Sequence, residues 1–144
     1  MSTELLSIDD QARVTKAIAE AEKKTSGEIR LFIEDKCKDE VLDRAAFIFA
    51  ELKMHETEER NGVLFYLAVN DRKFAILGDA GINSKTGGDF WDRIKSKMES
   101  RFRNGEFADG LIEGIGLAGE ALGQYFPHKG NDRNELPNDI VFGK

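Results

Sequence analysis

Cysteine and proline are almost absent from this chain: one Cys and two Pro occur in 144 residues. A single thiol, Cys37, excludes an internal disulfide, and no histidine stands near it to activate it, so it reads as a small, partly buried side chain or an ordinary surface thiol. Histidine is scarce too. His55 and His128 lie far apart in polar surroundings, which excludes a local zinc-binding pattern. No window approaches the roughly 20 apolar residues that cross a bilayer, so no integral membrane segment is expected. The first ten residues lack a basic segment followed by an apolar one, so the expectation is a protein without a secretory leader, cytoplasmic by default. Positive charge is in deficit: 21 Lys and Arg against 27 Asp and Glu give a net charge of −6. Nucleic-acid binding, which needs a clustered cationic face, is therefore not expected. The acidic balance is compatible with cations or basic partners, and otherwise serves solubility. What remains is ordinary globular composition, 40% hydrophobic and 33% charged. The expected organisation is a single domain over residues 1–127 with a polar tail over 128–144, able to dock on it.

Periodicity supplies the elements. Ser7-Ile8-Asp9-Asp10 resembles a capping box, and Val14, Ala17, Ile18 and Ala21 follow at helical spacing until Thr25-Ser26-Gly27. Residues 28–34 alternate, with Ile29, Leu31 and Ile33 against Glu28, Arg30 and Glu34, predicting a strand only partly covered on one side. Residues 39–53 return to helical period, and 55–60 read as a charged loop. Val63 to Val69 is a continuous apolar run of seven, predicting a strand buried on both faces. Asn70-Asp71-Arg72 is turn chemistry leading to a second strand over 73–77. A glycine-punctuated loop, residues 78–83, precedes a helix carrying Phe90, Trp91, Ile94, Met98 and Phe102, which Asn104-Gly105 ends. A last helix over 106–124 contains five glycines between 110 and 123, a cost that close packing against a neighbour would offset. Residues 139–142 offer a short edge strand or a docked segment.

Strand, helix, strand in this order predicts a right-handed parallel crossover whose second strand pairs antiparallel with the next. The fold class is therefore α/β: a small mixed sheet of three to four strands with helices on both faces, an α/β/α sandwich. Chain direction then gathers Glu28, Asn61 and Asp79 along one edge of the sheet. Asn83 lies in the loop that leaves that edge, and the Asp71 turn falls at the far one.

Six segments in order resemble the TPM domain family. They are Thr25-Ser26-Gly27-Glu28-Ile29, Asn61-Gly62-Val63-Leu64, Asn70-Asp71-Arg72-Lys73, Gly78-Asp79-Ala80-Gly81, Phe102 through Leu111, and Tyr125-Phe126-Pro127. The resemblance covers about residues 8–127 and implies a compact α/β sandwich. It also implies divalent cations, chiefly calcium, and two kinds of activity: acid phosphatase in some relatives, and membrane-tethered assembly or repair accessory in others. The family's usual signal peptide, transmembrane helix and glycine-rich tail do not occur in these residues, which points away from a tethered role. Its Gly-x-Gly loop is Gly-Asp-Ala-Gly here, which adds a carboxylate.

That loop is the leading functional candidate, because glycines let backbone approach a ligand. Asp79 with Glu28, Asn61 and Asn83 offers hard oxygen ligands suited to Ca²⁺ or Mg²⁺. The competing reading is structural, with Asp79 making an Asx turn, Glu28 a surface ion pair and Asn61 a strand start. Residues 131–135 are oxygen-rich but lack the glycine and spacing of an EF-hand. Residues 78–86 miss the phosphate-loop order because the lysine falls one place late, and no Gly-x-Ser-x-Gly elbow occurs. The expected function is a divalent-cation-binding, non-catalytic module that engages a protein partner. The alternative is a metal-assisted phosphatase acting on phosphomonoesters at the same edge.

Overall fold

The computed structural model describes residues 6–128 and 140–143. Helix α1 (Ile8–Glu22) starts at Ser7, whose hydroxyl accepts the Asp10 N–H at 3.0 Å. Strand β1 (Glu28–Glu34) follows, then α2 (Val41–Glu51), a short 3₁₀ turn (Met54–Glu56), β2 (Gly62–Ala68) and β3 (Lys73–Gly78). Helices α3 (Ala80–Thr86), α4 (Phe90–Arg103) and α5 (Phe107–Tyr125) come next, with β4 (Val141–Phe142) last. The sheet order is β3-β2-β1-β4. β1 runs parallel to β2 and to β4, while β2 and β3 form the antiparallel hairpin.

Alternation along the strands divides the core in two. Ile29, Leu31, Ile33, Val63, Phe65 and Leu67 pack with α1, α4 and α5 on one face. Phe32, Leu64, Tyr66, Ala68 and Ala75 pack with Ala45, Ile48 and Phe49 of α2 on the other. The mixed sheet flanked by helices on both faces is thus as the periodicity predicts.

Two differences from the sequence expectation have physical causes. Every residue of β1 is buried, Glu28, Arg30 and Glu34 included: Glu22 of α1 adjoins Glu28 and Arg30, β4 pairs with Phe32 and Ile33, and Arg44 of α2 closes on Glu34. The loop expected over 78–83 instead becomes α3, nucleated by Asp79, whose carboxylate accepts the Ala80 N–H at 2.8 Å. Five glycines in α5 are largely accounted for by packing: Gly110 and Gly114 lie against Phe102 and Met98 of α4, Gly119 and Gly123 against Ala21 and Lys24 at the end of α1. The oxygen-rich stretch 131–135 and the first residue of the expected 139–142 strand lie outside the described residues. Among the described residues no helix is long and apolar enough to cross a membrane.

Candidate functional site

The rim is built by strand register. Glu28 stands opposite Gly62, and Val63 opposite Gly78. The Glu28 N–H donates to Asn61 O at 3.4 Å and the Asp79 N–H to Gly62 O at 2.9 Å. Glu28, Asn61 and Asp79 therefore occupy neighbouring strands at one edge, with Asn83 one helical turn further on.

The side chains at this rim are committed unequally. Both Asp79 oxygens accept from Arg60, Nε at 2.7 Å and Nη2 at 2.8 Å. Burial by itself would raise the Asp79 carboxyl; the Arg60 guanidinium and the Ala80 N–H outweigh it and hold the group below the usual carboxylate range. The second glycine of the loop has a steric reason. A Cβ at Gly81 would run into the backbone oxygens of Glu59 and Arg60, so only glycine lets α3 seat against that segment. Asn83 donates through Nδ2 to Gly78 O and accepts the Trp91 indole N–H, both at 2.7 Å, tying α3 to β3 and α4. Asp79 and Asn83 thus already have structural partners.

Glu28 and Asn61 are different. Asn61 is almost wholly buried and donates through Nδ2 to Ser26 Oγ at 3.2 Å, yet its Oδ1 has no hydrogen-bond partner among the described residues. Glu28, buried at 2% exposure, adjoins Glu22 from the last turn of α1. Glu22 Oε2 accepts the Ile29 N–H at 2.7 Å, satisfying backbone on the margin of β1 away from β2. Burial first, then the neighbouring Glu28, pushes the Glu22 carboxyl up to about 9 against the opposing pull of the Ile29 N–H and Arg30. At neutral pH this carboxyl pair keeps a proton. Sequence reasoning missed Glu22 and Arg60. The available signal for Glu22 was an acid in the last turn of a helix, where the dipole disfavours negative charge.

At the opposite edge a second polar group closes on itself. Arg44 binds Glu34 in two-pronged fashion, Nε and Nη2 each at 2.9 Å, and the Tyr66 hydroxyl donates to the same carboxylate. Burial, with Glu34 beside it, raises the Tyr66 phenol, while Arg44 and Tyr66 overcome burial to hold Glu34 low. Cys37 is buried here, its thiol donating to Asp39 O at 3.3 Å. A crevice of about 480 Å³ opens outside this edge.

As a test of fit to a divalent cation, the donor chemistry of the first rim is hard oxygen: two carboxyl groups and an unsatisfied amide oxygen. Among the described residues no group of three or more His, Cys, Asp or Glu side chains is arranged to hold a metal ion.

A mixed sheet between helical layers, with a parallel crossover and a Gly-Asp-Ala-Gly rim, defines an α/β/α sandwich of the TPM type. The chain belongs to the TPM domain family, whose model matches residues 1–121. It is 45% identical to BA42 protein from the psychrophilic bacterium Bizionia argentinensis, whose NMR structure superposes with a TM-score of 0.91 over 99% of both chains. The N-terminal domain of a P. gingivalis protein shares the fold at TM-score 0.65 and 21% identity, over 87% of this chain and 82% of that one. The N-terminal domain of cg2496 from Corynebacterium glutamicum does so at 0.67 and 12% identity, over 83% and 76%. No curated protein matches the chain.

Proposed function

We propose that this TPM domain is a cytoplasmic, non-catalytic module that binds a divalent cation, Ca²⁺ or Mg²⁺, where β1 and β2 begin, and presents that loaded rim to a protein partner. The observation that carries the reading is the buried Glu22–Glu28 pair, where burial first and the neighbouring carboxyl second favour holding a proton at neutral pH, against the pull of the Ile29 N–H and Arg30. A divalent cation replaces that proton and removes the repulsion. Asn61 Oδ1 supplies a neutral oxygen at the same strand start. Asp79 joins the shell only if Arg60 releases it, and Asn83 only if Trp91 does.

Titrating CaCl₂ and MgCl₂ at pH 7 while following backbone amides tests this. Saturable shifts at Gly27–Ile29 and Asn61–Gly62 are expected, with about one proton released per cation bound. Glu22→Gln should weaken binding about tenfold or more. Shifts confined to the Glu34–Asp39 edge, or an affinity unchanged in Glu22→Gln, would defeat the reading. Hydrolysis of p-nitrophenyl phosphate should stay at background with either metal; turnover lost on Asp79→Asn would favour the phosphatase alternative instead.

A further inference from the structure

Beyond the turn of the β2–β3 hairpin, at the edge opposite the rim, lies a cavity of about 590 Å³ bounded by the α4–α5 junction. That volume is within the range of small-molecule sites. Its wall is aromatic. Phe74 meets Phe102 edge-on with centroids 4.9 Å apart, and Phe102 meets Phe107 at 5.4 Å. Arg72 and Arg103 line the same cavity, together with Glu99.

The two guanidinium groups are exceptional in an acidic chain. Arg13, Arg44, Arg60, Arg93 and Arg101 are each bound to a carboxylate. Arg72 and Arg103 have no side-chain hydrogen bond or ion pair among the described residues, Glu99 included. Arg72 also holds a left-handed backbone at φ +53°, a turn position where glycine or asparagine would sit without strain. Arg60 shares that conformation at φ +54° and delivers its guanidinium to Asp79; Arg72 delivers its own to a cavity with no carboxylate bound to it. Phe107, in the cavity wall, opens α5, a 19-residue helix whose N-cap Glu106 makes no side-chain capping bond.

We propose that this cavity binds a small amphipathic carboxylate, with an alkyl or aryl body against Phe74, Phe102 and Phe107 and its carboxylate held between Arg72 and Arg103. Guanidinium matches carboxylate in planar, two-pronged geometry, and the aromatic wall favours an apolar body that acetate lacks.

Octanoate is the probe, titrated into the whole chain while the amides of Arg72, Phe74, Gly105 and Phe107 are followed. Saturable shifts at these positions are expected, with octanol and acetate each binding at least tenfold more weakly. Arg72→Gly removes the guanidinium and places glycine where φ is positive, so folding is preserved or improved while octanoate affinity falls about tenfold. Arg103→Gln should do the same, and Glu99→Gln should tighten binding by removing a like charge. Octanol as tight as octanoate, affinity unchanged in both arginine variants, or no saturation in the low millimolar range would each overturn the proposal. Because the cavity and the Glu22–Glu28 rim lie at opposite edges, Ca²⁺ titration of Arg72→Gly should give the parental response whatever octanoate does.

Discussion

Arg60 occupies a backbone conformation that costs an ordinary side chain of order 1 kcal/mol, and what it gains is Asp79. The Asp79 carboxylate fills two roles at once, capping α3 and receiving a two-pronged guanidinium. Replacing it by alanine removes the cap, a loss of about 1 kcal/mol, while asparagine keeps a capping acceptor and should lose less. The advantage of the native carboxylate over an amide at this position depends on its charge. Its folded value lies below the ordinary 3.8, so the contribution is present above that value and disappears as pH falls through the lower one. Thermal unfolding of Asp79→Asn and the parent at pH 7 and pH 2 checks this: a gap that persists undiminished at pH 2 would assign it to packing rather than charge.

In the elements, glycine separates what helix propensity dictates from what packing dictates. Gly116 of α5 faces open space, and a Cβ there meets nothing within 4 Å. Gly116→Ala should therefore stabilise the protein by up to about 1 kcal/mol, since alanine restricts the unfolded chain and meets no neighbour. At Gly119, in the next turn, a Cβ would stand 2.7 Å from Ala21 Cβ of α1. Gly119→Ala should cost about 1–3 kcal/mol because α1 and α5 must separate to admit it. Urea midpoints for the two variants should move in opposite directions; movement in the same direction would mean that α5 does not pack on α1 through this face. The same steric logic operates at Gly81, which the sequence marked as a ligand-approach glycine and the structure uses for approach between two backbone segments.

For the whole molecule, the Glu22–Glu28 pair couples folding to pH with an unusual sign. Most carboxylates are depressed on folding; Glu22 is raised from 4.5 to about 9 by burial. The folded chain keeps a proton that the unfolded chain releases throughout that window, so stability falls as pH rises from about 4.5 towards 9. Glu22→Gln preserves an acceptor for the Ile29 N–H and removes the titration. Its stability relative to the parent should climb steadily from pH 5 to pH 9, as measured by calorimetric unfolding. A constant offset across that range would show that Glu22 is ionised in the folded state.

The elements, their faces and the rim were legible from the order of residues. Period 3.6 in α1, α2, α4 and α5 and period 2 in β1 are consequences of backbone geometry acting on neighbouring residues, and the parallel crossover follows from chain direction. Those same rules aligned Glu28, Asn61 and Asp79 on one edge, as the register has them. The partner of each side chain was not legible, because it is fixed by contacts between distant parts of the chain. Arg60 reaches Asp79 across 19 positions, Arg44 reaches Glu34 across 10, and Arg101 joins Glu113 across 12. An Arg is equally charged wherever it stands in the chain, so no local pattern distinguishes the guanidinium that closes on a carboxylate from the one left facing a cavity. Burial and mutual approach set that difference, and they exist only once the sheet and its two helical layers have closed.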